Sequence, residues 1–284
     1  MSVISEINPD NRDEFAFILG NELVLNIARK YYRAVGAYDD KEENITGALM
    51  WKFSDLEEET ATKAELVFFS AEDEETGREL LKFFLEKIDD VDANEAFFEL
   101  TEASEKELNL LLEAGFTIEE TEGKDIIVPL SEVSKNYSAK RRSLSFVVPF
   151  SKLNTLQYRQ GITNCLFSGD EGLDDDLAFL PMDWFEKDVS CGVVIDGKVC
   201  GMCLIHLTAD GMLMPVLLYA TGINARLHRA ILLDRALRSA LKKYPRDTGI
   251  LIRRNNYKTR SLVKVILPGK KGITVKRGER VKEG

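Results

Sequence analysis

Arg226, His228 and Arg229 head a long basic segment that follows an apolar run and the short loop Thr221–Asn224. Two guanidinium groups and an imidazole at a strand-to-helix loop suit a phosphate. They add fixed charge to the N–H groups of a first helical turn, whose dipole already favours an anion. The charge distribution points the same way. The 284-residue chain has a net charge of -10, yet residues 1–143 hold 16 Lys+Arg against 34 Asp+Glu, or -18, and residues 144–284 hold 22 against 14, or +8. Within 220–284 the balance is 18 basic to 4 acidic. An anionic ligand is expected on the C-terminal half. Attraction between the halves, or plain solvated faces, would give the same polarity, and Arg235 and Arg238 further along the helix read as such a face.

Metal chemistry finds little support. The four cysteines are Cys165, Cys191, Cys200 and Cys203, and the two histidines are His206 and His228. Cys200-Gly-Met-Cys203 has CxxC spacing but lies in the strand-like run KVCGMCLIHL, where residues three apart should face opposite sides. No metal is expected, and the cysteines read as buried packing. No apolar run reaches membrane-spanning length, and the acidic N-terminus lacks a signal-peptide core, so a cytoplasmic protein is expected.

The elements that must position these residues come in a repeated order. Asp10–Leu25 reads as a helix capped by Asp10 or Asn11; Tyr32–Tyr38 and Ile45–Phe53 read as strands across the turn DDKEEN, and Lys63–Ala71 as a third. Leu80, Leu81, Phe84, Leu85 and Ile88 mark a helix over Glu74–Ile88, followed by the strand Glu95–Leu100. Ser104 with Glu107 predicts a capping box, and FTIEE and DIIVPL two closing strands. The polar stretch SEVSKNYSAKRRSLS (Ser131–Ser145) reads as a linker, dividing the chain into domains 1–133 and 144–284. The second half repeats the order: a strand at Ser145–Pro149, a helix, an acidic loop at Ser168–Asp188, and a hairpin over Cys191–Leu207 turning at Asp196-Gly197. A strand at Met212–Ala220 follows, where Pro215 signals an edge or bulge, then a helix over Ala225–Tyr244 and a strand at Gly249–Asn255. TRSLVKVIL then reads as a helix, and GITVKRGERV as a last strand or basic tail.

This doubled order of hairpin, strand, loop, helix and strand resembles the GCN5-related N-acetyltransferase (GNAT) fold present twice. The implied class is α/β with a mixed sheet: two tandem acyl-CoA N-acyltransferase-like domains, the first acidic and non-catalytic, the second holding the acyl-CoA. Family members bind the pyrophosphate of acetyl-CoA at a loop usually reading Arg/Gln-x-x-Gly-x-Gly/Ala. The matching segment here is Asn224-Ala225-Arg226-Leu227-His228-Arg229, which lacks both glycines, with Gly222 just upstream. The first half has Glu72-Asp73-Glu74-Glu75-Thr76-Gly77, where four carboxylates stand in the way of a pyrophosphate. The resemblance further implies that the backbone at Leu218 and Ala220 pairs with the pantetheine amides, and that Asn256 lies beside the cosubstrate. The family's usual tyrosine acid has no counterpart: its positions fall near Val263 and, in the first half, Leu111, with Ser104 in the place of Asn256.

Acyl transfer needs a deprotonated amine, so a base is sought. Glu186, beside Asp183 and Asp188 in the acidic loop, is one candidate, with Trp184 as an acceptor wall; His206 on the hairpin is another, and Tyr219 at the end of the fourth strand lies where a thioester would be. The implied function is transfer of an acyl group from acetyl-CoA to a small-molecule or peptide amine, with the acidic half attracting a cationic acceptor. The alternative is a degenerate, non-catalytic GNAT-fold ligand-binding or regulatory protein. The basic tail has little aromatic interleaving and no nucleic-acid reader motif, which argues against a nucleic-acid partner.

Overall fold

A computed structural model describes residues 2–39, 41, 44–54, 63–136, 144–167 and 176–281. In chain order the elements are β1 (Val3–Ile7), a 3-10 turn at Arg12–Phe15, α1 (Ala16–Leu19), α2 (Asn21–Asn26), β2 (Tyr32–Tyr38), β3 (Ile45–Ser54), β4 (Lys63–Ala71) and α3 (Glu74–Asp90). Then come β5 (Glu95–Leu100), α4 (Glu105–Glu113), β6 (Thr117–Glu122), β7 (Asp125–Pro129), α5 (Leu130–Asn136), β8 (Val147–Pro149) and α6 (Thr155–Leu166). After 3-10 turns at Leu177–Phe179 and Met182–Trp184 follow β9 (Cys191–Ile195), β10 (Lys198–Leu207), β11 (Leu213–Ala220), α7 (Ala225–Lys243), β12 (Gly249–Arg253), α8 (Tyr257–Ile266) and β13 (Thr274–Val281).

Most of these follow the sequence pattern, but β1, which pairs with β2, was not expected, and two expected elements differ. The expected helix over Asp10–Leu25 is broken at Gly20, whose φ of 77° and ψ of 153° leave the helical region. The expected linker begins as α5, while residues 137–143 lie outside the described residues, as do 168–175 of the acidic loop and parts of the DDKEEN turn.

Contacts divide the chain into two compact units, one of residues 1–123 with 273–284, the other of 124–272. Unit 1 holds a seven-stranded sheet in the order β1-β2-β3-β4-β5-β13-β6, and unit 2 a six-stranded sheet in the order β7-β12-β11-β10-β9-β8. A cut at residues 133–144 therefore does not separate them. β7 pairs antiparallel with β12, and β13 lies between β5 and β6, so each half of the sequence lends its last strand to the other's sheet. The side chains fit these places. Ile126 and Val128 of β7 enter the core of unit 2. Lys276 and Arg277 of β13 reach Glu120 on β6 and Glu99 on β5, so part of the basic tail is neutralised inside unit 1.

Both central sheets are covered on two faces, so their strands are apolar throughout rather than alternating. In β3, Leu49, Trp51 and Phe53 face the core under α3, while Ala48 and Met50 face the one beneath α1. In β10, Cys203 and Ile205 face α7, and Met202 and Leu204 face α6. Each unit carries a β-bulge in the strand that leads into its long helix, β4 in unit 1 and β11 in unit 2. Val67 is skipped between Trp51↔Leu66 and Met50↔Phe68, and Val216, beside Pro215, between Ile205↔Pro215 and Leu204↔Leu217. The parallel neighbour then parts from the bulged strand: β4 and β5 stay paired only up to Leu66↔Phe98, and β11 and β12 only at Leu213↔Ile250.

Candidate functional site

The wider of the two gaps is in unit 2. Beyond Leu213, β11 is held by β10 alone on one side. The Thr221 N–H donates to the Cys200 carbonyl at 2.8 Å. Alternation along the strand then turns the N–H and C=O of Leu218 and Ala220 away from β10, toward the gap. Gly222, with open space around its Cα, and Asn224 lead into α7. Among the described residues no side chain caps this helix: Asn224 makes no cap bond, and its carbonyl takes the His228 N–H at 2.9 Å. The first-turn N–H groups of Ala225, Arg226 and Leu227 therefore lie next to two exposed or half-exposed arginines, Arg226 and Arg229, with Leu227 exposed beside them. His228 instead turns inward, 94% buried against Phe146 with their ring centroids 5.8 Å apart, and among the described residues its Nδ1 has no hydrogen-bond partner. Because β12 runs parallel to β11, its C-terminal loop emerges at the same end of the sheet. There Asn256 caps α8, its side-chain oxygen accepting from the Thr259 N–H at 2.8 Å.

The corresponding place in unit 1 is filled by the chain itself. The Asp73 carboxylate accepts from the Thr76 N–H at 2.9 Å and from the Thr76 hydroxyl at 3.0 Å, so an anion already sits on the start of α3. The Thr76 N–H is the main reason that the Asp73 carboxyl titrates below its usual range. Lys106 Nζ donates to the carbonyls of Ala71 (2.6 Å) and Glu72 (2.8 Å) at the end of β4. Only the Asp73 part of this seal was legible in sequence; Lys106 lies 35 residues away from Ala71 and gives no local signal.

The three candidate catalytic side chains are not brought together. Tyr219 is buried on the α6 face and donates its hydroxyl to the Gly161 carbonyl at 2.6 Å; burial holds its proton far above the usual phenol range. His206 stacks on Trp184 with centroids 4.6 Å apart and planes 10° from parallel. Its Nδ1 lies 2.8 Å from the Trp184 carbonyl, which can only accept, so Nδ1 carries the proton. Register places His206 opposite Met214 and Tyr219 opposite Met202, so four residues of β10, about 13 Å, separate them. Glu186 lies far from the start of α7. It is bound at the last turn of α7, and the 19 residues of that helix span about 27 Å.

Glu186 forms a clamp. Its carboxylate accepts from Lys243 (2.8 Å), the Tyr244 hydroxyl (2.8 Å) and the Asp188 N–H (3.2 Å), and Lys243 also pairs with Asp188 at 2.6 Å. Burial pushes the Glu186 carboxyl up, but the bonds from Lys243, Tyr244 and Asp188 outweigh it and hold the group below the usual carboxylate range. Such a carboxylate, lowered in pKa and already accepting three bonds, is a poor base. The Tyr244 hydroxyl is raised to about 12, by burial first and by Glu186 second. Both signs follow. The depressed Glu186 contributes stability above the ordinary carboxylate range and loses it as pH falls through its lowered value. The raised Tyr244 contributes below pH 10 and loses it between 10 and about 12. Glu186→Gln is expected to cost about 1–2 kcal/mol near neutral pH, with the gap from wild type closing in acid. Chemical denaturation across pH checks this; a gap independent of pH would remove the clamp from the account.

The cysteines differ from the simple alternation argument. A bulge at Cys200, between Val199↔Val194 and Gly201↔Val193, puts Cys200 against the same core cluster as Cys203. Among the described residues no group of three potential ligands surrounds a metal position, and no helix is long and apolar enough to cross a membrane. Burial raises the thiols of Cys165 to about 11 and Cys191 to about 12, and that of Cys203 well up, while Cys200 is partly exposed. A chromogenic disulfide reagent is expected to find one fast thiol in the native protein, Cys200, and all four after denaturation. Cys200→Ser should abolish the fast phase.

No family model matches the sequence, and no curated protein sequence matches it. Solved structures do. A tandem GNAT protein from the clavulanic acid biosynthesis pathway superposes with a TM-score of 0.65 at 10% identity, over 100% of this chain and 99% of that one. A GCN5-related N-acetyltransferase from Sphaerobacter thermophilus gives 0.55 at 11% identity, over 99% of this chain and 95% of that one. With the doubled strand order, the paired bulges and the two gaps, the likeness establishes the architecture: this chain has the tandem GNAT fold.

Proposed function

We propose that unit 2 binds acetyl-CoA and that the chain is an N-acyltransferase acting on a small-molecule or peptide amine. The observation that carries this reading is the contrast between the two helix starts. The start of α7 is uncapped, flanked by Arg226 and Arg229 and next to the open side of β11, whereas that of α3 is occupied by Asp73. Charge favours the same unit: residues 124–272 carry 23 Lys+Arg against 14 Asp+Glu, or +9, and unit 1 carries 15 against 34, or -19.

The residues present fit the cosubstrate. The N–H groups of the first turn of α7, with Arg226 and Arg229, would hold the pyrophosphate. Leu218 and Ala220 would offer backbone N–H and C=O groups to the pantetheine amides, as to an added strand. Asn256 spends its side-chain oxygen on the α8 cap and keeps its N–H groups for the ligand. Bound acetyl-CoA supplies an acyl group activated as a thioester. The chain's part is to hold that acyl group beside the bulge at Val216 and to admit a neutral amine. The acidic unit 1 attracts a cationic acceptor.

A second reading, a non-catalytic CoA-binding protein, is favoured by the engagement of Tyr219 with Gly161 and of Glu186 with Lys243 and Tyr244, and by buried Val263 and Leu111 at the tyrosine positions. Calorimetric titration of acetyl-CoA into the whole chain, followed by thiol release across a panel of polyamines, aminoglycosides and lysyl peptides, separates the two. Binding with release supports transfer. Binding without release leaves the second reading, and no binding overturns both.

A further inference from the structure

The end of unit 2 at which β11 passes into α7 carries large apolar side chains that packing does not explain. Ile223 is fully exposed in the loop, Leu227 is 47% exposed on the first turn of α7, and Tyr257 is 83% exposed on the first turn of α8. Three contacts place these turns at one end of the sheet. The Thr221 N–H bonds the Cys200 carbonyl at the end of β11, and Asn164, near the end of α6, donates to the adjacent Val199 carbonyl at 3.3 Å. Lys258, next to Tyr257, lies close enough to Cys165 on α6 for its charge to oppose the rise of that thiol. Cationic groups accompany the apolar ones, Arg226 and Arg229 on α7 and Lys258 on α8. The sequence holds no Asp or Glu between Asp210 and Asp234, and none between Asp247 and Glu279. An exposed apolar centre bordered by charge of one sign marks a docking surface for an acidic protein rather than a solvated face.

This surface lies at the mouth of the groove along β11, where whatever carries a pantetheine arm must sit. In free acetyl-CoA the carrier is a nucleotide. Its phosphates answer the arginines, but it has a single adenine to set against three apolar side chains. An arm borne by a protein ends in one phosphodiester, and the protein behind it can offer both apolar and acidic groups. The first turn of α7 suits that smaller demand, because Leu227 and Arg229 stand where glycines would let a diphosphate approach the backbone closely.

We propose that this end of unit 2 docks a small acidic carrier protein whose acyl group is held as a thioester on a phosphopantetheine arm, and that the arm enters the groove along β11. This donor class rests on the reading of unit 2 as an acyl-pantetheine site. Ile223, Leu227 and Tyr257 face the carrier's apolar groups, and Arg226, Arg229 and Lys258 face its carboxylates and the phosphodiester of the arm. The bonds made and broken are those of transfer from the free thioester. The amine nitrogen attacks the thioester carbon, and a C–N bond forms as the C–S bond breaks. The carrier leaves with its arm as the free thiol, having taken the proton that the amine loses. Three apolar side chains make a small contact, which suits a partner that must depart after each transfer.

The test titrates an acidic acyl carrier protein, acetylated on its arm, and acetyl-CoA separately into the whole chain, as wild type and as Ile223→Ser/Tyr257→Ser. The variant should bind the acetylated carrier about tenfold more weakly than wild type does. It should bind acetyl-CoA as wild type does, which also shows that the fold is intact. Carrier lacking the arm should bind wild type more weakly than the acetylated form, and equal binding of the two would overturn entry of the arm. If acetyl-CoA binds but the carrier does not, or if the variant binds the carrier undiminished, the docking surface is overturned and the acetyl-CoA reading stands. Absence of binding by either donor would overturn both. Retention on phosphatidylglycerol vesicles that the variant loses, with no binding of the carrier, would assign the surface to a membrane and overturn the carrier.

Discussion

Replacing both Arg226 and Arg229 by Glu is expected to weaken acetyl-CoA binding by about a thousandfold without lowering the melting temperature. Each arginine offers a charge-assisted bond to phosphate worth about 1.5–3 kcal/mol, and two lost together come to about 4 kcal/mol, or roughly three decades in Kd. Reversing the charge, rather than deleting it, adds repulsion where the field of α7 would otherwise attract an anion. The same substitutions should not harm folding. Arg226 is exposed, and a carboxylate in the first turns of a helix is favoured by the dipole by about 0.3–1 kcal/mol. The opposed signs make the test decisive. Calorimetry should show the loss of binding, and thermal melting of the free protein an unchanged or slightly higher midpoint. A variant that binds like wild type would move the cosubstrate away from α7. A variant that binds weakly and also melts early would say only that the helix had been damaged, and an Arg226→Gln/Arg229→Gln pair would then decide, since it removes charge without adding any.

Local signals carried most of the elements into the sequence reading. The capping box of Ser104 with Glu107, the Asp196-Gly197 turn and the apolar stripe of α3 each depend on neighbours within a few residues, and each is present in the structure. What could not be read was pairing at long range. DIIVP reads as a strand and TVKRGERV as a strand or a basic tail, but nothing nearby tells the first to join β12 and the second to enter between β5 and β6. The signal for β13 exists only in combination, as cations opposite carboxylates that lie more than 150 residues earlier. The site divides in the same way. The residues proposed to hold an anion at the start of α7 are adjacent in sequence, so they could be singled out as a group from neighbours alone. The fate of the catalytic candidates was not, because it depends on Gly161, Lys243 and Tyr244, whose partners are 55 or more residues distant. A titratable side chain near a cleft looks available in sequence until a distant partner has claimed it.

The exchanged strand gives the second large effect. Gly278→Ala is expected to destabilise unit 1 by about 2 kcal/mol, and Gly278→Val by more. The ordinary expectation has the opposite sign: adding a Cβ to an extended glycine stiffens the unfolded chain and stabilises by about 0.4–1 kcal/mol. Sterics decide the outcome here. The new carbon would stand 2.4 Å from the Phe98 ring and 2.7 Å from the backbone oxygen of Thr117, and neither can easily retreat. Phe98 is fully buried, with its ring centroid 5.5 Å from that of Phe116, and the Thr117 carbonyl belongs to β6, which has β13 as its partner in the sheet. Relief must come from β13 itself, which would lift from the sheet between Phe98 and Ile118, its register partners at Gly278. Hydrogen exchange should therefore lose protection in Glu95–Leu100, Thr117–Glu122 and Thr274–Val281, while β9, β10 and β11 of unit 2 keep theirs. Equal loss in both sheets would mean that the two units unfold as one. A stabilised Gly278→Ala variant would mean that β13 does not run over Phe98, and the long-range pairing that distinguishes this fold from two consecutive domains would fail with it.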